Sequence, residues 1–106
     1  MKEIKAYIRR DRLDETVNAL AHIEGLGGVS VSTTTGFGRS RGILRFVDFE
    51  THFKIETVCR DELKDSVVQA IMQAAKSGQR ADGKIFVSEV VEAYRVQTGE
   101  QLTRNP

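Results

Sequence analysis

Apolar and polar residues alternate along several short segments of the chain. In residues 2–9 apolar side chains alternate with charged ones and a tyrosine, and in residues 29–35 valine alternates with serine before a run of threonines. Residues 52–59 alternate in the same way. A period of two predicts strands with one buried face. The apolar residues 85–87, together with Val90 and Val91, predict a fourth strand, which residues 93–96 could extend.

Two further segments have the helical period of 3.6 residues. We predict that Asp11 and Asp61 cap the two helices, because short acidic side chains accept hydrogen bonds from the free N–H groups of a first turn. Gly78 stands where a glycine often ends a helix. The predicted buried faces consist of Leu13, Val17, Leu20 and Ala21 in the first helix, and of Leu63, Val67, Ala70, Ile71 and Ala74 in the second.

The order strand, helix, strand, strand, helix, strand predicts a ferredoxin-like α+β fold. In this βαββαβ arrangement a four-stranded antiparallel sheet carries both helices on one face. A length of 106 residues predicts a single domain over residues 1–106, with a loop at about 37–52 and a polar, partly ordered tail at about 97–106. We expect isoleucine, valine, tyrosine and phenylalanine on the other sheet face, so that copies of the chain pack there as a dimer or trimer.

Composition narrows the functional classes. The net charge of +1 argues against a nucleic-acid-binding protein, which is usually strongly basic. Cys59 is the single cysteine; it predicts a reducing compartment and is interpreted as a small buried apolar residue. No apolar stretch is long enough to span a membrane, and residues 1–5 lack the apolar centre of a signal peptide. We therefore expect a cytoplasmic protein that is not inserted into the membrane.

The chemistry concentrates in two glycine-containing segments. In residues 36–42, three glycines accompany Arg39 and Arg41, and backbone N–H groups together with guanidinium groups suit phosphate oxygens. A flexible basic hairpin tip explains the same composition. The second segment is Asp82-Gly83-Lys84, where glycine permits a close backbone approach and lysine adds a charge, although Asp-Gly is also a common turn.

Residues 41–49 interleave aromatic and basic side chains. They either pack on their own hairpin or bind a partner protein, and the sequence favours neither reading. The predicted partner-binding residues are Arg41, Gly42, Arg45, Phe46 and Phe49.

The chain resembles the P-II family of nitrogen signal-transduction proteins over nearly its whole length. The motifs that carry this resemblance are Gly36–Arg39, Lys54–Glu56, Ser77–Gly78 with Asp82–Val87, and Arg95 with Thr98–Glu100. The resemblance implies a homotrimer that binds ATP or ADP in the clefts between subunits and controls a target protein, a metabolic enzyme or a membrane transporter, through its loop. The implied nucleotide-binding residues are Ser30, Gly36, Phe37, Gly38, Arg39, Asp82, Gly83, Lys84 and Arg95.

The chain also departs from the family pattern. The loop is shorter and lacks the tyrosine that enterobacterial members modify. Ser40 and His52 stand where those members carry a glutamine and a lysine for Mg²⁺ and 2-oxoglutarate, while Ala81 and Gln97 replace a glycine and an arginine. These departures predict a divergent member that responds to ATP, ADP or AMP, holds Mg²⁺ poorly and responds weakly or not at all to 2-oxoglutarate.

Two other classes of protein are alternatives. An enzyme would have to use His22 or His52 with Glu24 or Glu50, but their spacing matches no catalytic or metal-binding motif, so we expect a protein that is not an enzyme. A trimeric ferredoxin-like metal-tolerance or metal-efflux-associated protein would share the fold without a nucleotide site.

Overall fold

The computed structural model describes residues 1–36, 50–79 and 82–106. Short 3-10 turns, Arg10–Arg12 and Asp61–Leu63, precede the two helices. The elements are β1 Lys2–Arg9, α1 Leu13–Ala21, β2 Val29–Gly36, β3 Glu50–Cys59, α2 Lys64–Ala75, β4 Gly83–Glu89, β5 Ala93–Tyr94 and β6 Gln101–Leu102.

The four long strands form one antiparallel sheet in the order β2-β3-β1-β4, and both helices pack on the same face of it. This arrangement confirms the predicted ferredoxin-like fold. In the sheet Ile8 lies opposite Gly83, Arg9 opposite His52, and Gly36 opposite Glu50. The ends of β1 and β2 and the starts of β3 and β4 therefore meet at one end of the sheet, which we name the loop-base end.

The core lies between the sheet and the two helices. Its buried apolar residues are Ile4, Ala6 and Ile8 in β1, Ile55 and Cys59 in β3, and Leu20, Val67, Ile71 and Ala75 in the helices. Burial of each large aliphatic side chain contributes about 1.5–3 kcal/mol. Cys59 is buried as predicted, and its burial raises the pKa of the thiol.

Two buried threonines are satisfied by local hydrogen bonds. The Thr16 hydroxyl donates to the Arg12 carbonyl at 2.7 Å, and the Thr57 hydroxyl donates to the Gly28 carbonyl at 2.9 Å. Because both hydroxyl groups have partners, these side chains can lie in the core without a large desolvation penalty. The buried residues of α1 are Thr16 and Leu20, whereas Ala21, which was predicted to be buried, is exposed.

Neither predicted aspartate cap is formed. Asp11 lies in a 3-10 turn, where its carboxylate accepts hydrogen bonds of 3.2 and 3.3 Å from the Arg9 guanidinium, and Asp61 pairs with the N-terminal amine at 3.0 Å. The helices begin after Arg12 and Leu63, with no side-chain capping bond at either position. On α2 the buried alanine is Ala75 instead of Ala74, one residue further along the helix.

The uncovered face of the sheet, here named the open face, is more polar than predicted. Tyr7, Phe86 and Val58 are its large apolar residues among those described, and no described isoleucine lies there. The neighbouring strands contribute Lys5 and Arg9 from β1, Ser30, Ser32 and Thr34 from β2, Lys54 and Glu56 from β3, and Lys84 and Ser88 from β4.

The C-terminal segment is more ordered than a tail. Strand β4 ends at Glu89, before the valines assigned to it, and β5 pairs with β6 as a separate hairpin. The hairpin closes through hydrogen bonds of 2.8 Å between Arg95 N–H and the Glu100 carbonyl, and between Gly99 N–H and the Arg95 carbonyl. Gly99 has a φ of +73°, a conformation that glycine adopts without steric cost.

Candidate functional site

Asp82 holds the turn that leads into β4. Its carboxylate accepts hydrogen bonds from the backbone N–H groups of Ser77 at 2.9 Å and of Gly78 at 3.0 Å, and from the Ser77 hydroxyl. These hydrogen bonds, together with the positive charge of Arg9, hold the pKa of Asp82 below its usual value. The carboxylate thereby ties the end of α2 to the start of β4 at the loop-base end.

Gly83 lies against the backbone of β1. Its φ is +110°, and a Cβ atom at this position would lie 1.7 Å from the carbonyl oxygen of Tyr7. No residue with a side chain can take this place without a shift of the strand. The close approach that the structure shows at Gly83 is to the backbone of β1, and an approach of Gly83 to a phosphate ligand stays a prediction.

Lys84 projects from the open face near the loop-base end. It lies opposite Tyr7 in the sheet, is exposed, and has no hydrogen bond or ion pair with a described residue. An exposed ammonium group with three donors can bind an anion such as a phosphate group.

Arg9 lies near this turn, and it was not among the site residues predicted from the sequence. Its guanidinium lies beside Asp11 and contributes to the lowered pKa of Asp82. Strand alternation places Arg9 on the same face as Lys5 and Tyr7, but only the pairing of β1 with β3 and β4 brings it to the loop-base end.

The remaining described candidates lie elsewhere in the chain. Ser30 belongs to β2, at the sheet edge opposite to β4, and Gly36 ends that strand. Three strand spacings of about 4.8 Å separate the two edges, or roughly 14 Å. Ser30 and Lys84 therefore do not meet within one chain.

Arg95 lies beyond the opposite end of the sheet. Strand β4 runs from Gly83 to Glu89, and Glu89 pairs with Lys2 at the end remote from the loop base. Six residues of extended chain span about 20 Å. The hairpin that carries Arg95 follows, and Arg104 beyond it lies 3.8 Å from Glu62, which is also at the remote end.

The other predicted site residues lie outside the described part of the chain. They are the nucleotide-binding candidates Phe37, Gly38 and Arg39 and the partner-binding candidates Arg41, Gly42, Arg45, Phe46 and Phe49. Their roles stay predictions.

The described ranges also bear on membrane insertion and on metal binding. Neither α1 nor α2 combines the length and apolar character that crossing a bilayer requires. In the same ranges no three histidine, cysteine, aspartate or glutamate side chains are grouped as metal ligands would be.

Comparison with known proteins gives one consistent family. A family model described as Nitrogen regulatory protein P-II matches residues 1–100. A protein of that name from Rhizobium meliloti (strain 1021) is 43% identical over 107 residues, which cover 94% of this chain and 95% of the relative. The relative from Rhodospirillum rubrum is 44% identical over 108 residues, which cover 95% of this chain and 96% of the relative.

A third relative, from Haemophilus influenzae, carries the same name and is 40% identical over 108 residues, with 95% of this chain and 96% of the relative covered. The alignment with the Rhizobium relative spans 107 positions but includes only 94% of this 106-residue chain. The relative therefore contains residues that this chain lacks. A shorter loop would produce a difference in this direction.

Proposed function

Because the chain belongs to the P-II family of nitrogen regulatory proteins, we propose that it is a regulator and not an enzyme: a homotrimer that binds ATP or ADP between its subunits and controls a partner protein. The family match favours this function over a metal-tolerance protein of the same fold.

The observation that carries the proposal is the division of the candidate residues into two half-sites. The first half-site contains Asp82–Lys84 at the loop-base end of β4. The candidates away from it are grouped here as the second half-site: Ser30 and Gly36 on β2, at the other sheet edge, and Arg95 beyond the remote end. The two cationic members, Lys84 and Arg95, are too far apart for both to contact one phosphate group of a ligand within a single chain.

A cyclic oligomer resolves this separation. In a closed ring each subunit presents one surface to its neighbour on one side and a different surface to the other neighbour. The first half-site of one chain can then face the second half-site of the next, and three equivalent clefts result. This arrangement explains why one chain carries both sets of residues without bringing them together.

The roles within such a cleft follow from the chemistry of the groups. Lys84 and Arg95 supply positive charge for the phosphate groups, and the Ser30 hydroxyl can donate to or accept from the ligand. Asp82, whose oxygens accept bonds from Ser77 and Gly78, shapes the turn instead of contacting an anion. ATP, ADP and AMP all remain candidates.

Mixed oligomers test the shared site. Lys84→Ala and Arg95→Ala should each weaken ADP binding measured by calorimetry, by about 1–3 kcal/mol for a charge-assisted contact. When the two variants are unfolded together and refolded, a cleft between subunits regains both cations in about one case in four, because one chain supplies Lys84 and its neighbour Arg95. Restored tight sites support the proposal.

Lys64→Ala is the matched control, because Lys64 lies at the remote end and is paired with Asp65. It should leave ADP binding unchanged. If the refolded mixture regains no tight sites while each variant still forms trimers, the two cations do not share a cleft between subunits.

Control of a partner is the second part of the proposal and rests on residues 41–49. Deletion of this segment should abolish capture of a partner while trimer formation and nucleotide binding persist.

The weak response to 2-oxoglutarate, expected from Ser40 and His52, is tested by titrating the ATP-loaded protein with 2-oxoglutarate and Mg²⁺. Binding in the micromolar range would contradict it.

A further inference from the structure

Two arginines from distant parts of the chain share one carboxylate at the remote end of the sheet. Arg60 directly follows β3, and its Nε lies 3.9 Å from Oε2 of Glu62. Arg104 lies shortly after β6, and its Nη2 is 3.8 Å from Oε1 of the same carboxylate. We name Arg60, Glu62 and Arg104 the clasp, because Glu62 joins the end of the chain to the turn before α2.

The clasp reaches both parts of the second half-site that lie towards the remote end. Arg60 lies against Gly25, where a Cβ atom would be 3.4 Å from its Nη2, and Gly25 belongs to the turn that leads into β2. Ser30 follows near the start of that strand. On the other side of the clasp, Arg104 follows the β5–β6 hairpin that carries Arg95. The clasp thus connects the segment before Ser30 to the segment after Arg95.

The hairpin is anchored before β5 and after β6. Before β5, Val90 N–H donates to the Met1 carbonyl at 3.1 Å, and after β6, Arg104 enters the clasp. Between these points the side chains of Arg95 and Val96 are exposed. A two-stranded hairpin is only marginally stable by itself. The orientation of Arg95 therefore depends on how well the ends of the hairpin are held.

We propose that the clasp positions the nucleotide site, by fixing the hairpin relative to the turn before β2 and thereby Arg95 relative to Ser30. The inference rests on the proposed function and extends it to residues that hold the site without belonging to it. Glu62 is 57% and Arg104 75% exposed, so the pairs add little to the free energy of unfolding. Their effect is on the fraction of molecules that are ready to bind, and the apparent affinity falls in proportion to that fraction.

The sign of the effect separates positioning from general electrostatics. Glu62→Gln removes a negative charge, which by itself would favour an anionic ligand, whereas Arg104→Gln removes a positive charge and would disfavour it. If the clasp positions Arg95, both substitutions should weaken ADP binding, by about two- to fivefold in calorimetric titration.

Three further variants define the pair. Arg104→Lys keeps the charge and should bind ADP nearly as well as the unaltered protein. The double variant Glu62→Gln with Arg104→Gln should bind no more weakly than Glu62→Gln alone, because the same interaction is lost only once. Asp65→Asn is the matched control: it removes a negative charge at the same end, from the pair with Lys64, and should not weaken ADP binding.

Hydrogen exchange of the ligand-free protein gives a readout that needs no nucleotide. The amide groups of Arg95 and Gly99 donate hydrogen bonds of 2.8 Å within the hairpin. Both should exchange several times faster in Glu62→Gln, because a hairpin released at one end opens more often. The amides of β1, in the centre of the sheet, should keep their rates.

The outcomes are distinct. Weaker ADP binding in both Glu62→Gln and Arg104→Gln, with faster exchange in the hairpin and an unchanged oligomer mass, supports the clasp. Unchanged or tighter ADP binding in Glu62→Gln, a changed oligomer mass, or an Arg104→Lys variant as weak as Arg104→Gln overturns it. If the unaltered protein binds neither ADP nor ATP, the proposed function fails and the role in binding with it, while the exchange rates still show whether the clasp holds the hairpin.

Discussion

Gly83 stands at a point where the backbones of two strands leave room for a hydrogen atom and nothing larger. The Tyr7 carbonyl oxygen occupies the place of a Cβ atom, and the φ of +110° disfavours any side chain. A glycine that the sequence suggests for ligand approach is thus needed first for the pairing of β4 with β1.

Gly83→Ala should therefore destabilise the fold strongly. We expect a loss of about 3 kcal/mol or more in the free energy of unfolding, because the clash involves backbone on both sides and cannot be relieved by a rotamer change. Denaturation by urea measures it. Gly27→Ala is the control, since a Cβ atom there meets nothing within 4 Å, and it should change stability by less than about 1 kcal/mol. Equal effects in the two variants would contradict the clash.

The carboxylate of Asp82 accepts hydrogen bonds from several donors at once. The hydrogen bonds that it accepts from Ser77 and Gly78 lower its pKa, so the charged form is the one that stabilises the turn. A carboxyl group with a lowered pKa contributes stability above its unfolded pKa of about 4, and this stability is lost as the pH falls through the folded pKa.

Asp82→Asn should accordingly lower stability near neutral pH and lose its effect in acid. An asparagine has one acceptor oxygen in place of two and presents N–H groups to donors. Urea denaturation between about pH 7 and about pH 3 should give curves for the two proteins that converge at the acid end. Glu24→Gln, at an exposed carboxylate without a described partner, should run parallel to the unaltered protein. A constant difference across the pH range would argue against the charged form.

At the scale of elements, the two helices are held by packing instead of by capping. Each begins with no side-chain capping bond and presents a narrow buried stripe to the sheet, such as Val67 and Ile71 on α2. Isolated helices of this length are marginal in water. Their stability must therefore come from contact with β1 and with each other.

Neighbouring residues on α2 test this dependence. Ile71→Ala should cost about 2–5 kcal/mol because the side chain is 1% exposed, whereas Met72→Ala, at 48% exposure, should change stability by no more than about 0.5 kcal/mol. Chemical denaturation compares them. Similar losses at both positions would mean that the outer face of α2 is also covered.

At the scale of the whole molecule, the two most exposed large apolar residues in the described ranges lie near the C-terminus, outside the four-stranded sheet. Val91 is 88% and Val96 is 99% exposed, and Tyr94 between them is 55% exposed. Apolar groups gathered at one place on a surface mark an interaction site. The proposed trimer offers a neighbouring subunit to cover them.

Val91→Asp together with Val96→Asp should therefore shift the protein from trimer to monomer. Placing charges in an apolar contact costs desolvation energy that no partner group repays. Light scattering at micromolar concentration gives the mass. Thr103→Asp, at an exposed polar residue just beyond the same hairpin, should leave the mass unchanged. A trimer that survives the double substitution would place the contact elsewhere.

Much of the fold follows from periodicity alone, because strands and helices of this length leave a clear alternation in the sequence. The burial of Thr16 was not predicted because threonine is a polar residue, and only its hydrogen bond to Arg12 explains that burial. The hairpin of β5 and β6 was not predicted because strands of two residues show no periodic pattern. This hairpin depends on the turn that Gly99 permits.

Only a part of the candidate site could likewise be predicted from the sequence. Asp82-Gly83-Lys84 is contiguous, so the sequence displays it directly. The nearness of Arg9 to Asp82, and of Tyr7 to Lys84, depends on strand register across 70 or more residues, which no local pattern encodes. The polarity of the open face depends on the register in the same manner.

The central position of β1 in the sheet has a consequence for folding during synthesis of the chain. This strand leaves the ribosome before its two neighbours in the sheet, β3 and β4, and Lys2 pairs with Glu89. The native sheet therefore cannot close until β4 has been synthesised, and such non-local pairing slows folding. Until then the backbone N–H and C=O groups of β1 lack their sheet partners, and unpaired strands of this kind are prone to pair with the wrong strand.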